Sequence, residues 1–362
     1  HHTPTRRQRQ MCIRDRNPNY KFIDFTTALT KAYEIQGSLC LGTSLNQLGY
    51  DHVFYVKLAS GAVFSSLLSK GNEKIVHRTI NHILLDGPSL RSYRHFPNVG
   101  KRKSWAAADA SKRGIELAKI SQLNDEVYSS IQDDKNWGFE KNYLNDSEIK
   151  FGKELNDWVI QNVLFKVLFP AEFHGQSAVE GAIKLSKEFN QNIDKVKKIN
   201  IFTHEPAIRI IANKENLSNA SDRDHSLEYM VSAALLFGEL KYEMYGNDFS
   251  GLNKIESLRK KIVVSEDTDF TKNYYEFSKR HISNSIEIVY DDNSTSEKIT
   301  IENPIGHPSR REEAIPLLKE KFIRNVQNVL SLEKSMSLWE QVINLEKDDE
   351  LTKFFNILQD DE

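Results

Sequence analysis

Apolar residues recur at every third or fourth position through roughly the first 165 residues. Phe25, Leu29, Ala32, Tyr33 and Gln36 mark one such row, and Val53, Val56, Ala59, Val63 and Leu67 a second. That spacing predicts amphipathic helices. The Ala-rich stretch 105–120 is helical by propensity. Polar loops separate the helices. One, 87–103, carries Arg91, Arg94, His95, Lys101, Arg102 and Lys103; another, 132–150, is rich in Asn, Asp and Gly. No internal repeat stands out. After Lys166 the period shortens to two. Residues 197–203 (KKINIFT), 285–290 (SIEIVY) and 298–302 (KITIE) alternate as strands. The last two are joined by a turn containing Asp291-Asp292-Asn293-Ser294, which predicts a hairpin. Helical segments intervene at 172–189, 225–237 and 252–260, and two more follow at 311–330 and 335–344 before an acidic tail expected to be solvated. The fold class is therefore mainly α with a second, α+β domain.

Composition narrows the function classes. The chain has 362 residues and a formal net charge of −2, long enough for two domains and without an electrostatic footprint for nucleic acid or membrane. No apolar run approaches the roughly 20 residues that span a bilayer. Cys12 and Cys40 are the only cysteines and form no CxxC pair, so a disulfide framework, a thiolate metal site and an iron–sulfur cluster are unsupported. Residues 1–16 (HHTPTRRQRQMCIRDR) are Arg-rich, lack periodicity and read as a non-native segment. The native chain is then expected to begin near Asn17, short of its true N-terminus.

Candidate chemistry lies where charge interrupts apolar sequence. In 163–174 (VLFKVLFPAEFH), Lys166, Glu172 and His174 sit among Val, Leu, Phe and Ala. Burial of such a run would disfavour their charged forms and suit proton transfer near neutral pH. The same pattern also allows Lys166 to snorkel. Three further clusters stand out: Gly49-Tyr50-Asp51-His52; Tyr93-Arg94-His95 through Lys101-Arg102-Lys103; and Thr203-His204-Glu205 with Asp222-Arg223-Asp224-His225 and Tyr229. Taken singly, His52 reads as a cap, 100–103 as a solvated basic loop, 222–225 as a helix cap, Tyr229 as core and His307 as turn geometry. Together they supply cations in excess of free carboxylates. Such a pocket suits a di- or tricarboxylate, with Arg94, His174, His204 and Arg223 as substrate-binding candidates.

The combination is recognisable in its order. Gly49-Tyr50-Asp51-His52-Val53, residues 86–95 (DGPSLRSYRH) and Arg102-Lys103-Ser104-Trp105 resemble the MmgE/PrpD family. So do Phe169-Pro170-Ala171-Glu172-Phe173-His174, Thr203-His204-Glu205, Asp222-Arg223-Asp224-His225 and Pro304-Ile305-Gly306-His307. The resemblance runs from about 17 to 330 and is nearest the PrpD branch.

It implies a discontinuous all-helical domain (17–165 and 307–362, its N-terminal part missing) and a smaller α+β lid (166–306), with the active site in the cleft between them. By position it places the family's catalytic residues at His52, Lys103, Lys166 and Tyr229, although an extra residue separates Lys166 from Pro170. Another family histidine and an aspartate fall upstream. The implied activity is a metal-independent, cofactor-free lyase that dehydrates 2-methylcitrate to 2-methyl-cis-aconitate in propionate breakdown. The implied enzyme is a homodimer in the cytoplasm, or in the mitochondrial matrix of a eukaryote, acting on a small tricarboxylate without nucleic-acid or membrane partners. The alternatives are another reaction of the family (cis-aconitate decarboxylation or iminodisuccinate epimerisation) or an inactive polycarboxylate-binding fragment.

Overall fold

Helix α1 (Phe22–Gly42) is the first helix among the described residues and turns its expected face outward. Phe25, Leu29 and Tyr33 are exposed, and α1 instead buries Glu34, Ser38 and Leu39. The two polar side chains are accommodated by hydrogen bonds to backbone: Glu34 Oε1 accepts from the Ile160 amide at 2.8 Å, and Ser38 Oγ accepts from the Lys153 amide at 3.0 Å. A computed structural model provides these coordinates; it describes residues 20–357 apart from 96, 124–127, 129, 157, 190–192 and 213–214. The 1–16 segment and Cys12 lie outside the described residues.

Contacts divide the chain into two units, 1–162 with 322–362, and 163–321. In the helical unit, α1 is followed by α2 (Val53–Leu68), α3 (Glu73–Asp86), α4 (Arg102–Ile120), α5 (Phe139–Tyr143) and α6 (Trp158–Asn162). Its core gathers Leu39, Leu45, Phe54, Tyr55, Leu58, Ile83, Leu117 and Phe139. The polar loop 132–150 thus contributes α5, whose Phe139 ring stacks on Phe54 at 5.1 Å. Helices α2 and α4 cross closely at two glycines. A Cβ on Gly114 would lie 2.3 Å from the Lys57 carbonyl oxygen and 3.1 Å from the Gly61 amide. Gly114→Ala is therefore expected to force the helices apart and cost about 1–3 kcal/mol, read as a lower midpoint in urea unfolding.

The α+β unit holds α7 (Gln176–Ser186), β1 (Val196–Thr203), α8 (Glu205–Ile211), α9 (Ala220–Arg223), α10 (Leu227–Phe237), α11 (Leu252–Arg259), β2 (Ile262–Glu266), α12 (Thr268–Tyr275), β3 (Asn284–Tyr290), β4 (Ile299–Ile301) and α13 (Arg311–Val326). The sheet order is β2-β1-β3-β4, with β1 and β2 parallel and the other pairs antiparallel. Alternate residues Ile199 and Ile201 of β1, and Ile286 and Ile288 of β3, join Val179 and Ala182 of α7 and Met230 and Ala233 of α10 in the core. Strand β2, which the alternation did not predict, is a short run, Ile262-Val263-Val264, fused to the end of α11 and half exposed on one side.

The second unit extends past 306 for a visible reason. The Arg310 guanidinium donates to both oxygens of the buried Glu180 at 2.9 and 3.2 Å and to the Asn303 carbonyl at 2.8 Å. Arg311 donates to the Val163 carbonyl and stacks over Phe165. The first turns of α13 are therefore tied to 163–165. Helices α14 (Leu332–Ile343) and α15 (Leu351–Ile357) return to the helical unit. The acidic tail is not simply solvated: Phe354 of α15 packs on Phe22 and Phe25 of α1 at 5.8 and 5.7 Å. Among the described residues, no helix is long and apolar enough to cross a membrane.

Candidate functional site

Two polar clusters form, one within each unit. In the helical unit, a short antiparallel contact joins the loop before α2 to the loop before α4. The Asp51 amide donates to the Ser89 carbonyl at 2.8 Å, and the Arg91 amide to the Gly49 carbonyl at 3.0 Å. This brings together segments 40 residues apart. At the centre is Asp51, fully buried. Its carboxylate accepts from Arg94 Nε at 2.7 Å, from the Tyr93 hydroxyl and, at 3.3 Å, from the Val53 amide that starts α2. Burial alone would raise its pKa. The hydrogen bonds from Tyr93 and Arg94 and the charge of Arg94 outweigh burial and hold the carboxyl below its usual range.

His52 precedes α2 but its side chain makes no capping bond. Its Nδ1 lies 3.3 Å from an Arg91 guanidinium nitrogen and 3.2 Å from Asp51 Oδ1. Burial lowers its pKa against the opposing pull of Asp51, so the ring is neutral at neutral pH. The same nitrogen thus faces a donor, Arg91, and an acceptor, Asp51. Arg94 is held by Asp51 as described. Arg102 extends the cluster, with its guanidinium 5.4 Å from the Tyr93 ring and 4.5 Å from that of Trp105. Lys103 is half-buried in the first turn of α4.

In the α+β unit, the second cluster is a pair of histidines under a tyrosine. His174 Nδ1 and His204 Nε2 are 2.8 Å apart. Tyr274 of α12 lies flat on the His204 ring, centroids 4.9 Å apart at 12°, and 5.6 Å from His174. His204 is fully buried, which together with the neighbouring His174 pushes its pKa down to about 3. Burial also lowers His174, against the raising effect of Glu172 and Glu205.

Three sequence expectations change. Lys166 was expected inside a buried run; it is exposed, while the next residue, Val167, is buried. The stretch 163–168 is neither helix nor strand. Tyr229 is core: fully buried in α10, its hydroxyl donates to the Met244 carbonyl, and burial raises its pKa to about 12. That hydroxyl is committed to backbone and poorly placed for proton transfer. Arg223 is likewise used structurally, donating to the Tyr245 carbonyl and Asn247 Oδ1, both at 2.7 Å. It fastens α9 to the segment after α10.

Asp51, Arg91, Tyr93 and Tyr274 received no role from sequence. Asp51 had a signal, a carboxylate beside His52 with no lysine or arginine nearby in sequence. Tyr274, in the polar stretch 271–276 (TKNYYE), had none. Among the described residues, no group of three or more His, Cys, Asp or Glu side chains is placed to hold a metal ion. Two open concavities of about 670 and 630 Å³ occur in the helical unit, along α14 and α15 and along α1 and α2; neither is lined by a candidate residue.

Residues 12–152 match the MmgE/PrpD N-terminal domain and residues 169–347 the MmgE/PrpD C-terminal domain. The chain belongs to the MmgE/PrpD family. The family match begins inside the 1–16 segment and runs past 330. The chain is 41% identical over 303 residues to 2-methylcitrate dehydratase of Escherichia coli K12, covering 83% of this chain and 62% of that protein. It is also 41% identical over 311 residues to the mitochondrial 2-methylcitrate dehydratase of Yarrowia lipolytica, covering 85% and 60%. A 2-methylcitrate dehydratase-like protein of Aspergillus oryzae is 35% identical over 315 residues, covering 85% of this chain and 63% of that protein. This MmgE/PrpD chain thus spans three-fifths of the length of these relatives. The matched domains include both polar clusters, His52 to Lys103 in the first and His174 with His204 in the second.

Proposed function

We propose that this chain serves as a 2-methylcitrate dehydratase, a hydro-lyase that removes water from 2-methylcitrate to give 2-methyl-cis-aconitate without a metal or cofactor. The observation that carries the reading is the 41% identity, over most of the chain, to proteins of that name. The difficult step is breaking a C–H bond beside a carboxylate that is already negative. Fixed cations lower that barrier by holding the carboxylate and the charge that develops on it. Lys103 suits this role because it lies in the first turn of the 19-residue helix α4, whose N-terminal end favours anions. Lys166, by resemblance to the family, is the second carboxylate cation, and its exposed ammonium is open to a ligand. Arg94, aimed by Asp51, supplies a further cation within the helical unit. His52, its pKa lowered by burial, is a proton-transfer candidate at the departing hydroxyl.

The test is direct. Adding 2-methylcitrate should produce the absorbance of a conjugated acid, without carbon dioxide release and unaffected by EDTA. Carbon dioxide would favour the family's decarboxylation instead, and silence in both assays a binding role alone. Lys103→Met should lower turnover by on the order of a hundredfold with folding intact; near-full turnover would remove Lys103 from the site. The reading also includes a homodimer located in the cytoplasm or the mitochondrial matrix, with light scattering in solution as the check on assembly.

A further inference from the structure

The hydrogen-bond pattern around the two histidines favours one placement of their protons. His204 Nδ1 lies 3.4 Å from the Ser283 carbonyl oxygen. Thr203 Oγ1 lies at the same distance, 3.4 Å; the carbonyl can only accept and the hydroxyl can also accept, so a proton on Nδ1 of His204 satisfies both contacts and leaves its Nε2 as a lone pair. That lone pair faces His174 Nδ1 at 2.8 Å, which must then be the donor. A neutral imidazole holds one N–H, so the remaining nitrogen, Nε2 of His174, is a bare acceptor. It has no protein partner among the described residues. The order is Ser283 carbonyl, His204, His174, with every donor directed one way.

The surroundings hold this chain rigid. The His174 backbone is fixed at both ends: its amide donates to Glu172 Oε2 at 2.7 Å, and its carbonyl accepts from Asn284 Nδ2 at 3.0 Å. Tyr274 covers the His204 ring. The charged and titratable groups that face the pair are Glu172 on its own turn, Glu205 and Arg209 from α8, and Tyr274 from α12. Tyr275 and Arg280 act on Tyr274 beyond them. Glu205 is bridged to Arg209 at 2.7 Å and to the Tyr275 hydroxyl at 3.0 Å.

We propose that His174 is a proton-transfer group, its open Nε2 oriented and kept in lone-pair form by His204, which acts as a positioning residue through the Ser283 carbonyl. This assignment deepens the dehydratase reading and rests on it for the substrate. In the step, the substrate C–H bond breaks and its proton forms a bond to His174 Nε2. The released pair becomes the C=C bond as the C–O bond breaks, and the hydroxyl leaves as water with a proton from a second acid. The imidazolium keeps its Nδ1 bond to His204 and gains the field of Glu172 and Glu205 until solvent takes the proton back.

Histidine-ring nitrogen NMR on the chain labelled with ¹⁵N-histidine tests the geometry without any assay. The expected result is the Nδ1–H tautomer for both rings at neutral pH, where an unconstrained histidine side chain favours Nε2–H. His204→Phe keeps a ring under Tyr274 but removes the acceptor; the His174 proton should then redistribute to Nε2. In protein that turns over 2-methylcitrate, that variant should lower kcat by tenfold or more with KM nearly unchanged, and shift the acid limb of the pH profile. His204→Gln, whose amide oxygen lies near the Nε2 position, should recover part of the loss. An Nε2–H tautomer at His174 in the unmodified chain, or an unchanged kcat and pH profile in His204→Phe, would overturn the proposal. Both tautomers as stated, with no turnover of 2-methylcitrate, would instead overturn the dehydratase reading and leave the hydrogen-bond chain standing.

Discussion

Asp51→Ala is expected to destabilise the helical unit by about 3–5 kcal/mol, the usual cost of removing one partner from a buried ion pair. Asp51 is fully buried, and the Arg94 side chain paired with it is 17% exposed. Truncation leaves the Arg94 guanidinium and the Tyr93 hydroxyl without their acceptor and removes the carboxylate bonded to the Val53 amide. Asn at this position keeps the shape and one acceptor, so it should cost less than Ala but lose the charge. Urea unfolding of the three proteins, at constant m-value, gives the difference.

The same pair sets a pH dependence. The folded pKa of Asp51 is held below the ordinary carboxylate value, near 4 in the unfolded chain. The stabilisation is therefore fully present above that unfolded value and is lost as pH falls through the folded one. The gap between the unmodified protein and Asp51→Asn should stay constant from pH 7 down to about 5 and narrow below 4. A gap that does not change between pH 7 and pH 3 would mean that Asp51 is not ionised in the fold.

The legible parts of this chain were those governed by local spacing. Period and propensity located α2, α4, α7, α10 and α11 and strands β1, β3 and β4, because each buries one face over several turns or pleats. Strand β2 escaped because three apolar residues after a helix have no alternation to detect. The face of α1 was misplaced because Glu34 and Ser38 are buried on hydrogen bonds from residues more than 100 positions away, which no local pattern encodes. The site divides the same way. His52, Lys103, His174 and His204 stand out in the sequence as candidate residue types within motifs. Asp51 adjoins His52 in sequence, but the other partners that give these residues their state, Arg91 for His52 and Ser283 and Tyr274 for the histidine pair, come from distant segments. Tyr229 and Arg223 show the converse: a polar group in a motif can be committed wholly to backbone carbonyls.

Gly306→Ala is the second large effect expected, and it acts on the α+β unit. Gly306 has φ of +105°, a region that L side chains rarely adopt. A Cβ there would also stand 1.9 Å from the Phe165 carbonyl oxygen, a backbone atom that cannot move aside as a side chain can. The strained φ costs about 1–3 kcal/mol and the overlap about as much again, so a loss of about 2–6 kcal/mol is expected. The contact at risk is specific: the Phe165 amide donates to the Gly306 carbonyl at 2.9 Å, beside the Arg311–Phe165 stack and the Arg310–Glu180 pair. Breaking it should loosen the tie between 163–165 and the start of α13 before the sheet is affected. Amide hydrogen exchange reads this directly. Phe165 should lose protection in Gly306→Ala while Ile199 and Ile286, central in β1 and β3, keep theirs. Uniform loss across the unit would show that the tie and the sheet unfold as one, and unchanged protection at Phe165 would show that the alanine is accommodated and the expected strain is absent.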